Sequence, residues 1–299
     1  MYLRWGSSSW QDKTFTEMAF TSAKKQTQEG PRPQHMFLLD DSSFGDSSPK
    51  IDLITEKITT PAFAPRISRP RLIEMLEKSV SSGTSTIITG RAGSGKTALA
   101  VDFAQKCGRP VAWYKVDAPE SDPRLFFHYL IGSIREKQRG FGSRTLMPLI
   151  QQNMERIAWL TDAFVYELAE GKTAGPLLIV IEDLHLVSDS EWLVPFFSRL
   201  LPLLPRDVHV LITSRSLPPA PLWRMRSKQF LLVVEEETLA FTRAEAASLF
   251  ESYGLTSEEA YIALDHTHGR ANALHEFAGF LQQSKLRQNV VSGSGGVSA

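Results

Sequence analysis

The chain has 299 residues, 42% of them hydrophobic and 22% charged, a globular composition with room for one large or two ordinary domains. Lys+Arg and Asp+Glu number 33 each, so no global field recruits nucleic acid or an anionic membrane. The single cysteine, Cys107, excludes an internal disulfide. No stretch has the roughly 18 uninterrupted apolar residues that a membrane span needs, and the amino terminus lacks an apolar signal core. These features predict a soluble, cytoplasmic protein.

Residues 1–50 lack periodicity and are rich in Ser, Gln, Lys and Asp, which predicts a disordered leader. Order begins at Ile51. Pro61, Pro65 and Pro70 punctuate an extended run, and Pro70 then opens an amphipathic helix as its first residue.

The next stretch organises the chain. Ser85-Thr86-Ile87-Ile88-Thr89 reads as a β-branched strand, followed by Gly90-Arg91-Ala92-Gly93-Ser94-Gly95-Lys96-Thr97 and a helix with Leu99 and Phe103 on its apolar face. Glycines 90, 93 and 95 let the backbone turn tightly and approach a ligand without a Cβ in the way. The amides of the turn and of the first helical residues through Ala98 then converge on one spot, an anion site sized for a diphosphate. In this pattern Lys96 neutralises the β- and γ-phosphates and the Thr97 hydroxyl ligates Mg²⁺.

Four more strands follow. Residues 110–117 form an apolar run, and Asp122-Pro123 supplies an N-cap and first residue for the helix after it. A second helical stretch spans Ile157 to Leu168. Leu177 to Ile181 is apolar at every position and ends in Glu182-Asp183, as expected of a central parallel strand with acids in the ligand crevice. Val208 to Thr213 ends in Ser214-Arg215, and Phe230 to Val234 completes the set. Strands alternating with helices predict an α/β fold, a P-loop NTPase with a doubly wound parallel five-stranded sheet over residues 51–235.

Beyond Glu235 only helical signals remain. Thr242/Glu245 and Thr256/Glu259 both fit the capping box, with stops at Gly254 and Gly269. Residues 236–290 are therefore expected to form a small all-helical lid subdomain, with a flexible Gly/Ser tail over 291–299. Asp265, His266 and His268 sit at a helix end, where polar residues belong without any metal.

The ordered set resembles the ATPase module of MalT-like LuxR-family regulators, a branch of the STAND class related to AAA+ and NACHT proteins. It comprises Arg69-Pro70-Arg71-Leu72, Gly90 to Thr97, Val111-Ala112-Trp113, Asp122-Pro123, Glu182-Asp183-Leu184-His185-Leu186, Thr213-Ser214-Arg215 and Leu239-Ala240-Phe241-Thr242. It covers residues 51 to about 285. The resemblance implies a slow, regulatory ATPase whose ATP and ADP forms differ in lid packing and assembly, with the sensor strand between the P-loop and Walker B strands. It assigns Asp183 to polarise water and Glu182 to the metal side, although the residues alone permit the swap. Together with Thr97, these two acids form the implied Mg²⁺ set. Arg215, at a strand tip, is the implied γ-phosphate sensor beside Lys96, and Ile67 and Arg69 border the adenine.

The sequence departs from the family in three ways. Glu182 stands where an Asp is usual, Gly269-Arg270-Ala271 replaces Gly-x-Pro, and the helical-repeat sensor and helix-turn-helix are missing from these residues. The expectation is an ATP-binding switch that acts through a protein partner or self-assembly, with no direct DNA binding and no membrane contact. The alternative is a nucleotide-binding interaction module that does not hydrolyse.

Overall fold

Runs of β-branched and aliphatic residues form five strands: β1 (Ser85–Thr89), β2 (Val111–Lys115), β3 (Leu177–Glu182), β4 (Val208–Ser214) and β5 (Leu231–Val234). The computed structural model describes residues 52–152, 156–170 and 176–293; the leader expected over residues 1–50 lies outside them. All strands pair in parallel, in the order β2-β3-β4-β1-β5. The expected doubly wound sheet is present, and β4 separates the P-loop strand β1 from β3. Every residue of β1, β3 and β4 is buried, which is why those strands read as near-continuous apolar runs.

Two helix layers cover the sheet. Helices α1 (Pro70–Ser81) and α2 (Lys96–Lys106) pack on one face with Ile88, Trp113, Leu178, Val180 and Leu211. Helices α3 (Pro123–Arg135), α4 (Leu146–Gln152), α5 (Ile157–Glu170), α6 (Leu193–Leu203) and α7 (Ala220–Trp223) cover the other, against Ile87, Tyr114, Ile179, Ile181 and Ile212. The strict alternation along each strand sorts odd from even positions between the two layers. Asp122 caps α3 by accepting from Arg124 N at 2.8 Å.

The short helix α8 (Glu236–Leu239) then leads to α9 (Arg243–Glu251), α10 (Ser257–Thr267) and α11 (Ala271–Gly293). These last three share a core of Phe241, Leu249, Phe250, Leu274 and Ala278. Both capping boxes form as the sequence signals: Thr242 N donates to Glu245 Oε2 at 2.9 Å, and Thr256 N to Glu259 Oε2 at 2.8 Å. Helix α10 ends with His268 and Gly269 both left-handed, at φ 50° and 75°. One correction concerns the end: α11 runs through Gly293, so residues 291–293, expected in a flexible tail, are helical. No helix among the described residues is long and apolar enough to cross a membrane.

A polar chain lies buried under α1. Ser79 Oγ is 2.9 Å from Thr86 Oγ1, which in turn is 3.4 Å from His209 Nε2. Burial, with Arg109 adding to it, lowers the His209 pKa to about 4. Folded His209 thus resists a proton that the unfolded chain accepts near 6.5. The unfolded state binds more protons between these values, so this contribution is complete above about 6.5 and is lost as pH falls toward 4. A depression of this size corresponds to roughly 3 kcal/mol. Urea unfolding at a series of pH values is expected to show that loss, and His209→Gln to flatten it. Equal slopes for the two chains across this range would exclude His209 as the titrating group.

Candidate nucleotide-binding site

The register places the site. Thr89 pairs with Ser214, and Ile181 with Ile212, so β1, β4 and β3 end at one level and their loops meet at the carboxyl edge of the sheet. Strand parity then decides which acid faces what. Glu182 shares parity with Leu178 and Val180, which face α2. Its carboxylate accepts from Thr97 Oγ1 at 2.6 Å and from the Trp113 indole at 3.2 Å, and the residue is buried. Asp183 leaves the strand with a left-handed backbone, φ 59°, its amide donating to Thr213 Oγ1 at 3.1 Å. The two acids therefore point to different places.

Gly93 and Gly95 adopt φ 79° and 93°, conformations costly for any residue with a Cβ. Lys96 Nζ donates to the Gly90 and Arg91 carbonyls at 2.6 and 2.9 Å. Burial lowers its pKa; Asp183 opposes the shift and Arg215 reinforces it, which places both groups in the field of the ammonium. His185 is also lowered, first by burial, with Asp183 opposing and Arg215 and Lys96 adding to it. The Ser94 hydroxyl is buried without a hydrogen-bond partner, at a cost of about 1–3 kcal/mol. A left-handed glycine cradle, an orphaned hydroxyl and a nearby ammonium fit a phosphate chain. Thr97 and Glu182 are oxygen donors of the kind Mg²⁺ takes.

Beside the loop lies a cavity of about 310 Å³ whose walls include Ile67, Arg69, Gly95, Ala98, Phe241 and Ala271. Ile67 and Arg69, expected at the base, thus stand next to the P-loop helix. Arg69 is buried, donates to the Leu239 carbonyl at 2.6 Å and lies over the Phe241 ring at 4.4 Å. Arg215 is exposed at the tip of β4.

The helical unit sits directly on the loop. Arg270 donates to the Ala92 carbonyl at 2.6 Å and Asn272 N to the Gly93 carbonyl at 2.9 Å. Glu236 accepts from Arg91 N at 2.7 Å and pairs with the Arg91 guanidinium at 2.8 Å. Sequence reasoning missed Glu236, Asn272, Trp113 and His275, another wall of the cavity. For Trp113 a signal existed, since it shares the parity of Glu182 across paired strands. The others depend on how two units pack, which no local pattern encodes.

Residues 78–205 match the AAA domain family. The HTH-type transcriptional regulator MalT of Yersinia enterocolitica is 28% identical over 232 residues, 76% of this chain and 25% of that protein. MalT of Cronobacter sakazakii is 29% identical over 203 residues, 67% and 22% of the two. The chain carries a MalT-like P-loop module. It spans about a quarter of the length of the curated relatives it matches. Among solved structures, the Walker-type ATPase PABY2304 of Pyrococcus abyssi superposes loosely, with a TM-score of 0.47 at 13% identity over 76% of this chain and 74% of that one.

The cradle of this MalT-like module has no space for a side chain. A Cβ at Gly95 would lie 3.2 Å from Ala271 Cβ, on a backbone at φ 93°. Gly95→Ala is expected to cost about 1–3 kcal/mol, and so to lower the melting temperature by several degrees. Calorimetry showing no shift would contradict the close approach of α11 to the loop.

Proposed function

We propose that this module binds ATP with Mg²⁺, hydrolyses it slowly, and works as a STAND-type signalling switch in transcription regulation. The observation that carries the reading is the 2.6 Å contact between Thr97 and Glu182. It joins the phosphate loop to the acid at the end of β3, two oxygen groups that would hold a metal and supply its charge to the phosphates. The bound nucleotide and metal supply the transferable phosphoryl group and the compensating charge. Lys96 and the free Ser94 hydroxyl face the phosphates. Thr97 and Glu182 would hold Mg²⁺, with Asp183 as the third acidic or hydroxyl oxygen of the proposed set. Asp183, turned away from the Thr97 contact, polarises the attacking water, and Arg215 reports the γ-phosphate. Ile67 and Arg69 border the adenine.

The regulator role comes from the MalT relatives, described as HTH-type transcriptional regulators. In this proposal the residues of this chain act in the cytoplasm through a protein partner or self-assembly and do not contact DNA, in keeping with balanced charge. The three helices α9 to α11 act as the lid. With Ala271 at the family's proline position, their hold on the base is looser and the closed ADP form less favoured. A non-hydrolysing module is the second reading, favoured by the Lys96 contacts to the Gly90 and Arg91 carbonyls, which compete with a phosphate.

Phosphate release with ATP separates the two. Lys96→Ala is expected to cost about 2–5 kcal/mol in ATP binding, as when one partner of a buried charge pair is removed; titration within threefold of the parent would contradict it. Asp183→Asn is expected to spare binding and slow release about 10²-fold or more. A mild Asp183→Asn beside a severe Glu182→Gln would reverse the roles of the two acids. A parent chain releasing phosphate no faster than Lys96→Ala favours the second reading.

The lid is tested by hydrogen exchange over residues 240–280 with saturating ATP and with saturating ADP. A difference is expected, and Arg215→Ala should erase most of it. Identical exchange in both nucleotides would leave a binding domain without a switch.

A further inference from the structure

His185 lies in the single 3₁₀ turn Leu184–Val187 that follows Asp183. Its Nδ1 is buried and has no hydrogen-bond partner. Asp183 Oδ1 faces it at 3.8 Å, within reach of charge but about 1 Å too long for a hydrogen bond. An unpaired buried ring nitrogen is costly and calls for a reason. A neutral imidazole carries one N–H, and with a carboxylate facing Nδ1 the proton belongs there. His185 also lines a small cavity together with Ser214, Ser216 and Leu217, the turn that carries Arg215. His185 thus neighbours both Asp183 and the turn that carries Arg215. Thr213, on the strand β4 that leads into that turn, accepts from the Asp183 amide at 3.1 Å.

We infer that His185 is a positioning residue, whose Nδ1–H aims the Asp183 carboxylate from its place beside the turn that carries Arg215. The inference rests on the proposed role of Asp183 in polarising water. It assigns His185 no proton transfer of its own. Simple packing of the ring would leave Nδ1 indifferent to the acid.

The test reads the ring before any turnover. Nitrogen-15 histidine spectra of the full chain, with His185 assigned by His185→Gln, are expected to show a protonated Nδ1 whose resonance moves in Asp183→Asn. In steady-state hydrolysis His185→Leu is expected to lower kcat about 10- to 100-fold, the range for residues that orient a catalytic group, with KM within twofold. His185→Asn, which keeps a donor near the Nδ1 position, should recover most of the loss. His185→Leu should add nothing further in the Asp183→Asn background, since both changes remove one interaction. An Nε2-protonated ring, an Nδ1 resonance that ignores Asp183→Asn, or an additive loss in the double variant would each overturn the inference. If the parent chain releases no phosphate, the hydrolysis proposal fails, and the nitrogen spectra alone still decide this one.

Discussion

The hydrogen bond from Thr97 to Glu182 joins residues 85 apart in the chain, and most of the architecture serves to make it possible. The two side chains meet only because β4 places β1 and β3 on either side of it with their ends level. They meet on the α2 side only because strand parity sends even-numbered residues of β3 there. A one-residue slip in register would send Glu182 to the opposite layer and leave a buried acid unpaired. The run of residues 177–181 is apolar on both faces and offers no preference between them, so the cost of burying Glu182 unpaired is what opposes such a slip.

The contacts between the lid unit and the loop are of unequal weight. The Arg91–Glu236 pair is largely exposed on the Arg side, at 76%, and exposed pairs contribute about 0–1 kcal/mol. The approach of Ala271 and Asn272 to Gly95 and Gly93 is a steric constraint of a different kind. Those two glycines answer to two demands at once, a left-handed backbone and a neighbour against the position of the missing Cβ. Arg69 links the same parts from below, bonded to the Leu239 carbonyl and stacked on Phe241.

Much of this was legible in the amino-acid order, and the reasons are local. Strands buried on both faces announce themselves as unbroken apolar runs, and Asp122, Thr242 and Thr256 mark helix starts through their own side chains. Helix α6 was harder to read because its N-cap, Trp192, makes no side-chain cap and Pro202 lies within it. The P-loop was visible because its chemistry is contiguous. The lid contacts from Glu236, Arg270 and Asn272 were not, because each joins segments more than a hundred residues apart, and their partners are backbone carbonyls or amides that every sequence contains. The gap between Glu182 and Asp183 in orientation was equally hidden. Adjacent acids look alike until the backbone of the second one turns left-handed.

That turn gives the acid pair a direction. Left-handed backbone is tolerated best by Gly, Asn and Asp, whose short polar side chains can bond locally, and poorly by longer ones. At residue 182 the demand is reach, from an extended strand to a hydroxyl on the neighbouring helix. At residue 183 the demand is a side chain that accepts φ 59°. Glu-Asp meets both in that order. Asp-Glu carries the same charge and composition, but it would set the longer side chain on the left-handed backbone and the shorter one opposite the Thr97 hydroxyl.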